Sequence, residues 1–326
     1  MEKIFEVISN KPFKIFYNGL VPRSIRKRWN YQYDDKIKQE KVASYWITVI
    51  NQYADKKIQK YDILPVNKEL VGKRIIWQYW GQGLEDLPEM VEICFASVDN
   101  HAHDYRVIRI TDDNLSEYIK LPDFVNEKRK NDVFSRVFFS DLLRIALLSV
   151  YGGVWLDASI LLTDRLPKEY TSSDFFMYSR DPNSLNKNWG KNDTHFYFNW
   201  RDEFKVKHLN SIIFSKPNSL VAKTLTDLLL YYWKTENKID YYFFFQVMVN
   251  ELKNMNIINF NFPVEDDTLP HLLQTEMNNK FKKEKYEYII EQASLHKLSL
   301  HEKFKEKDIL GNLTYYGFLK KEFFNK

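Results

Sequence analysis

Three charged residues, Asp141, Arg144 and Asp157, stand inside the most apolar stretch of this 326-residue chain. In FSDLLRIALLSVYGGVWLDASILLT (139–163), Asp141 and Arg144 are three apart and so share one face of a helix. Apolar side chains fill nearly every other direction (Val137, Phe138, Leu142, Leu143, Ile145, Leu147, Leu148, Val150), so the helix should be buried. Charges rarely occur on a buried helix unless they are paired or face a site. Two readings stay open: a pair closed on itself, or two groups projecting into a polar pocket. In the second, sugar hydroxyls suit the carboxylate and phosphate oxygens suit the guanidinium.

Gly152-Gly153 lets the chain reverse tightly after that helix and places Asp157 at the end of a strand. Read as extended chain, Asp157-Ala158-Ser159 puts two oxygen side chains on the same side. Such a pair beside a strand end can hold a divalent cation that bridges two phosphates. Taken alone the spacing is unspecific, and a turn or cap role for Asp157 is the plainer reading.

These residues need a scaffold. Arg74–Trp80, closed by Gly81-Gln82-Gly83, reads as a buried strand ending in a glycine loop, and Tyr105–Thr111 as a second strand. Helices are expected from Pro88 to about Asn100, over Asn114–Ile119 and Pro122–Lys130, and from Ser135 to Tyr151. Val154–Asp157 and Asp174–Ser179 add strands, with helices over Ser219–Thr235 and Asp240–Leu252 and through the last 60 residues. Strands alternating with helices over 73–180 predict an α/β fold with a mostly parallel sheet. Ligands in such sheets bind beyond the carboxyl ends of the strands. Residues 1–70 read as a helical N-terminal segment packed on a domain of residues 71–326. Within it, Lys36–Ile58 repeats apolar residues at three- and four-residue steps.

Composition excludes whole classes. With 44% hydrophobic residues and only 9 Gly and 10 Pro, the chain is neither disordered nor fibrous. Its 24 Phe, 21 Tyr and 8 Trp exceed what a minimal core requires, and such rings also stack on sugars and flat ligands. The lone Cys94 excludes an internal disulfide and reads as a small buried apolar residue. Net charge is +4, too balanced to argue for nucleic acid. Residues 1–33 concentrate the excess, with seven basic side chains against Glu2 and Glu6. The start has no continuous apolar core of a secretory signal, and Ile145–Leu156 is too short to span a bilayer. A cytoplasmic protein is expected. Arg23–Arg28, set among Phe13, Phe16, Tyr17, Leu20, Val21 and Trp29, suits either an anionic membrane surface or a basic cap on the domain.

Beyond these readings the sequence carries a family resemblance. IIWQYWGQGLEDLPEMVEICFASV, DYRVIRITDDN, YIKLPDFV and the 139–163 stretch, in that order, resemble the bacterial capsular polysaccharide synthesis glycosyltransferases. These share an S-D-x-x-R…G-G-x-x-x-D-x-D core with the clostridial glucosylating toxins. IDYYFFFQVM (239–248), LHKLSL (295–300) and Leu313–Gly317 also resemble the family, so the similarity spans roughly residues 40–320. It implies a GT-A fold, a UDP-hexose donor (galactose or glucose), Mn²⁺ or Mg²⁺, and a lipid-linked oligosaccharide acceptor at the inner face of the cell membrane.

By resemblance, Trp77 would stack on the uracil ring and Tyr151 line the nucleotide pocket. Asp141 and Arg144 would contact donor-sugar hydroxyls, and Asp157 the ribose and metal. Ser159 stands where many relatives carry a second aspartate and is a weaker, neutral ligand. Lys297 would approach the diphosphate, His296 is a further metal candidate, and Asn210 and Ser211 would touch the donor sugar. Gln246 takes a place where a second acid was expected.

Other charged clusters have plainer readings. His101-Ala102-His103-Asp104 fits a solvated loop, Asp112-Asp113-Asn114 a helix cap or a ribose contact, and Glu265-Asp266-Asp267 a solvated loop. FKKEKYEYIIEQ (281–292) reads as a charged helix face. A glycoside hydrolase needs two acids facing each other across a cleft. A binding module would leave Asp141 and Arg144 without a purpose.

Overall fold

A computed structural model describes residues 22–187, 197–260 and 262–323. Among them, the strands are β1 (Ile75–Tyr79), β2 (Arg106–Ile110), β3 (Gly153–Leu156), β4 (Ile160–Leu162), β5 (Phe175–Ser179), β6 (His208–Ser215) and β7 (Leu295–Lys297). Five of them form one sheet in the order β2-β1-β3-β6-β5, while β4 and β7 pair separately. β1 runs parallel to β2 and β3, whereas β6 is antiparallel to both β3 and β5. Four strands therefore point one way and β6 opposes them, the mostly parallel α/β sheet expected from the sequence.

The main helices are α1 (Arg23–Ala54), α2 (Glu89–His101), α3 (Asp123–Lys130), α4 (Arg136–Tyr151), α5 (Lys168–Ser172), α6 (Leu220–Thr235), α7 (Phe244–Met255), α8 (Lys283–Gln292) and α9 (Tyr315–Phe323). α4 lies on β3 and β6 with α6 beside it, and α1 packs along α7. Trp46, Trp77, Trp155 and Trp233 are fully buried. Each such side chain contributes on the order of 1.5–3 kcal/mol relative to exposure. One cluster joins α1 to the sheet through Trp46, Ile50, Trp77 and Tyr151; a second, around Cys94, Leu161, Leu273 and Leu319, ties α2 to the C-terminal region. Burial pushes the Cys94 thiol up to about 12, as a small apolar role requires.

Some expectations change. Among the described residues the helical N-terminal segment is α1 and one short 3-10 helix, Lys68–Leu70, and 55–67 lack regular helix or strand; Phe13, Phe16, Tyr17, Leu20 and Val21 lie outside them. The C-terminal stretch is only partly helical: Pro270 lies in a single 3-10 turn of helix (Leu269–His271), Gly311 has φ 80°, and β7 intervenes.

The turn from α4 into β3 needs its two glycines. Gly152 has φ 71° and Gly153 φ 99°, and a Cβ on Gly153 would lie 2.5 Å from the Ile75 carbonyl oxygen. That close approach lets β3 lie against β1 and delivers Asp157 to the carboxyl end of the sheet.

Candidate active site

A cavity of about 400 Å³ opens where β1 and β3 end. Trp80 and Gly81 follow β1, Asp157–Ser159 follow β3, and Leu209–Ser211 come from the start of the antiparallel β6. α4 contributes Arg136, Ser140, Asp141 and Arg144, while Tyr242, Gln246 and Lys297 close the far wall.

Arg144 organises the floor. Its Nε donates to the Ser140 carbonyl (3.1 Å), Nη1 to the Asn210 carbonyl (2.6 Å) and Nη2 to the Ser140 hydroxyl (2.6 Å). It lies 3.4 Å from both Asp141 Oδ1 and Asp157 Oδ1. All three of its nitrogens are engaged inward, so Arg144 positions the two acids and has little capacity left for a ligand. The self-closed pair and the pocket reading are both partly realised: Asp141 and Arg144 do pair, yet both line the cavity. Asp141 also accepts from Asn210 Nδ2 (2.8 Å), and Asp157 Oδ1 from Trp155 Nε1 (2.8 Å).

The two carboxyl groups differ. Burial lifts Asp141 to about 6 despite the opposing charge of Arg144. For Asp157 burial acts in the same sense, but Arg144, Lys297 and the Trp155 N–H outweigh it and hold the group below the ordinary carboxylate range.

Asp157-Ala158-Ser159 is a tight turn, closed by Ile160 N–H donating to the Asp157 carbonyl (2.9 Å), and not the extended segment expected. Both side chains still reach the cavity wall. β7 runs antiparallel to β4 with Lys297 opposite Ile160, and Leu298 N–H donates to the Ser159 carbonyl (2.9 Å). This register sets the Lys297 ammonium over the turn. Its Nζ donates to the Ser159 hydroxyl and lies 3.7 Å from Asp157 Oδ2.

A divalent cation at this turn would want hard oxygen ligands, usually one or two carboxylates with phosphates completing the shell. Asp157 is the single carboxylate at the turn, Ser159 is neutral, and an ammonium already bridges the two. No group of three or more His, Cys, Asp or Glu side chains gathers to hold a metal among the described residues. His296 cannot join. It is fully buried, its Nε2 meets the Thr163 hydroxyl (3.1 Å), and burial lowers it to about 3. The side chains present do not fit the Mn²⁺ or Mg²⁺ expected from the resemblance.

Asp141, Arg144, Asp157, Ser159, Asn210, Ser211 and Lys297 thus meet, whereas Trp77, Tyr151 and His296 do not reach the cavity wall. Trp77 is fully buried, donates from Nε1 to the Gly152 carbonyl (2.9 Å) and packs on Tyr151 at 5.3 Å between ring centroids. Neither ring can meet a nucleobase from there. Trp80, one residue past β1, is the tryptophan on the wall. Arg136 lines the same wall, and its signal in the sequence is the repeat of Arg136, Ser140 and Arg144 at steps of four along one face of α4. Asp112 is neither a cap nor a free ligand: it accepts from Tyr79 (2.6 Å), Arg129 (2.7 Å) and Arg136 (2.9 Å), and so anchors that arginine.

The remaining clusters serve the scaffold. His101 Nδ1 meets the Ser97 carbonyl (2.8 Å) and Asp104 pairs with Arg74, in a groove at the opposite end of the sheet. Asp267, expected in a solvated loop, is fully buried and holds Arg180 through two bonds (2.8 and 2.9 Å).

Similarity to known proteins appears in three comparisons. The family described as capsular polysaccharide synthesis protein matches residues 26–319. The O-glycosyltransferase PaGT of Phomopsis amygdali is 24% identical over a stretch covering 40% of this chain and 37% of that protein. The chain therefore spans little more than a third of the length of this curated relative. The solved PaToxG glycosyltransferase is 13% identical, covers 69% of this chain and 82% of its own, and superposes with a TM-score of 0.32. That superposition is too loose to carry an argument.

Proposed function

The chain belongs to the capsular polysaccharide synthesis protein family, and from that premise we propose that it is a glycosyltransferase. It moves a hexose from a UDP-sugar to a lipid-linked oligosaccharide during assembly of a capsular or exopolysaccharide repeat unit. The observation that carries this reading is the convergence of Asp141, Asp157, Asn210, Ser211 and Lys297 at the carboxyl ends of β1 and β3. A mixed α/β sheet with its site at those ends suits a GT-A enzyme. The glycosyltransferase name of the curated relative points the same way.

Each wall suits one part of the donor. Trp80 offers a ring for the uracil, beside Arg136. Lys297 faces the diphosphate. Asp141, with its carboxylate steadied by Arg144 and Asn210, accepts from hydroxyls of the hexose. Ser211 Oγ is buried on the cavity wall with no protein partner, and a sugar hydroxyl would satisfy it. In the reaction the bond from the anomeric carbon to the β-phosphate oxygen breaks, its electron pair leaving with UDP. The acceptor oxygen bonds that carbon and its proton passes to the departing phosphate. The cavity wall presents no acid other than Asp141 and Asp157 among the described residues, and Arg144 holds both. That suits a retaining, front-face transfer and leaves a two-acid hydrolase without its opposed pair.

The acceptor implies work at a membrane surface. No helix among the described residues is long and apolar enough to cross one. α1 begins with Arg23, Arg26 and Lys27 beside Ile25 and Trp29, a mixture suited to anionic lipid headgroups at the cytoplasmic face. Calorimetric titration with UDP tests the donor reading: saturable heat that Trp80→Ala weakens supports it, and absence of heat with uridine nucleotides refutes it.

A further inference from the structure

We infer that the Lys297 ammonium does the work of a divalent cation, so that the diphosphate is bound and released without a metal. This rests on the transferase reading and specifies how its leaving group is neutralised. Three observations carry it.

The first is position. Lys297 Nζ bonds Ser159 Oγ and lies 3.7 Å from Asp157 Oδ2, between the two oxygens at which a bridging cation would sit. The second is rigidity. The β4–β7 pairing, with Leu298 N–H bonded to the Ser159 carbonyl, fixes the lysine backbone over the turn, so the charge is placed by the fold. The third is the donor set. Asp157 is matched by Arg144 on Oδ1 and Lys297 on Oδ2, Ser159 adds no charge, and His296 is turned into the core. A dication at the turn would meet one carboxylate already paired twice and an ammonium in its own coordination sphere.

The lysine has capacity for the task. An ammonium carries three N–H donors: Ser159 takes one and the Asp157 carboxylate, at ion-pair distance, draws a second, which leaves the third for a ligand. The cavity wall bears Arg136, Arg144 and Lys297 against Asp141 and Asp157, a balance of one positive charge for an arriving diphosphate. As the anomeric carbon–oxygen bond breaks, the pair left on the β-phosphate oxygen is met by that third N–H. A preorganised charge of this kind acts without reorganisation during the reaction.

The test uses the full chain. UDP release from UDP-hexoses is followed in EDTA and in excess Mn²⁺, and UDP binding is measured by calorimetry under both conditions. Rates within about threefold of each other are expected, with UDP heat persisting in EDTA. Lys297→Met should weaken UDP by about tenfold or more without rescue by Mn²⁺. Ser159→Asp, which restores a second carboxylate, should make UDP binding responsive to Mn²⁺. Turnover lost by about 100-fold in EDTA and recovered with Mn²⁺ overturns the inference and leaves the transferase reading standing. UDP affinity unchanged in Lys297→Met overturns it likewise. No heat with UDP under either condition sinks the transferase reading itself, and the inference with it.

Discussion

Arg144 and Asp157 come from different elements, the middle of α4 and the turn after β3, and meet at 3.4 Å. The double glycine between those elements makes the meeting possible, because it folds β3 back beneath the helix that carries the arginine. Arg144→Met would leave Asp141 buried beside Asp157 without its counter-charge. Chemical denaturation should register a loss of about 3–5 kcal/mol. Arg144→Lys keeps the charge but lacks the planar fork, and should lower kcat/KM for the donor by about 100-fold while the protein stays folded.

The two acids predict opposite pH behaviour. Asp141 titrates near 6 in the fold against an ordinary 3.8, so between those values the folded chain keeps a proton that the unfolded chain has released. Its contribution to stability therefore declines as pH rises across that window and is level above it. Asp157, held below 3.8, contributes stability that is present above that value and lost as pH falls through its folded pKa. Asp141→Asn should abolish the decline between about pH 4 and 6 in denaturation curves. It should also remove an acid limb of kcat/KM near pH 6, because the ionised Asp141 is the form that accepts sugar hydroxyls.

The tryptophans of the first strand separate packing from recognition. Trp80→Ala should weaken UDP by about 1–3 kcal/mol in calorimetry and leave thermal unfolding nearly unchanged. Trp77→Ala removes a fully buried ring and its bond to Gly152, and should cost about 3–5 kcal/mol of stability.

These two residues also show why the sequence yields some of the site and withholds the rest. The acid–arginine couple stood out because charge on an apolar helix is rare, and the glycine pair marked where the strand carrying Asp157 begins. α/β alternation made the sheet's class readable in the same way. β1, however, is buried at every position from Ile75 to Tyr79, so no alternation reveals which tryptophan faces a ligand. Trp77 and Trp80 are the same residue type three positions apart, yet the first is fully buried and the second, just past the strand, is partly exposed. Lys297 carries no local signal: its place over the turn comes from β7 pairing with β4, more than a hundred residues away. His296, its neighbour, points inward for the same reason, since adjacent strand residues face opposite sides. Asp267 read as part of an acidic loop because its partner Arg180 is distant in the chain.

That last pair gives a further test of the wall. Arg180 is also ringed by Tyr197, Phe198 and Trp200 at 5.0–5.5 Å, and Tyr197 lines the cavity. Asp267→Ala would strand a buried guanidinium, and denaturation should show about 3–5 kcal/mol of lost stability.

Hexose transfer at Asp157 is what the donor pocket is built for. The most direct measurement is UDP release from a panel of UDP-hexoses by the wild-type chain and by Asp157→Asn, both confirmed folded by circular dichroism. Release by the wild type with at least one donor is expected, with a fall of about 100-fold or more in the variant. Equal rates in the two proteins, or no release from any donor, would contradict it.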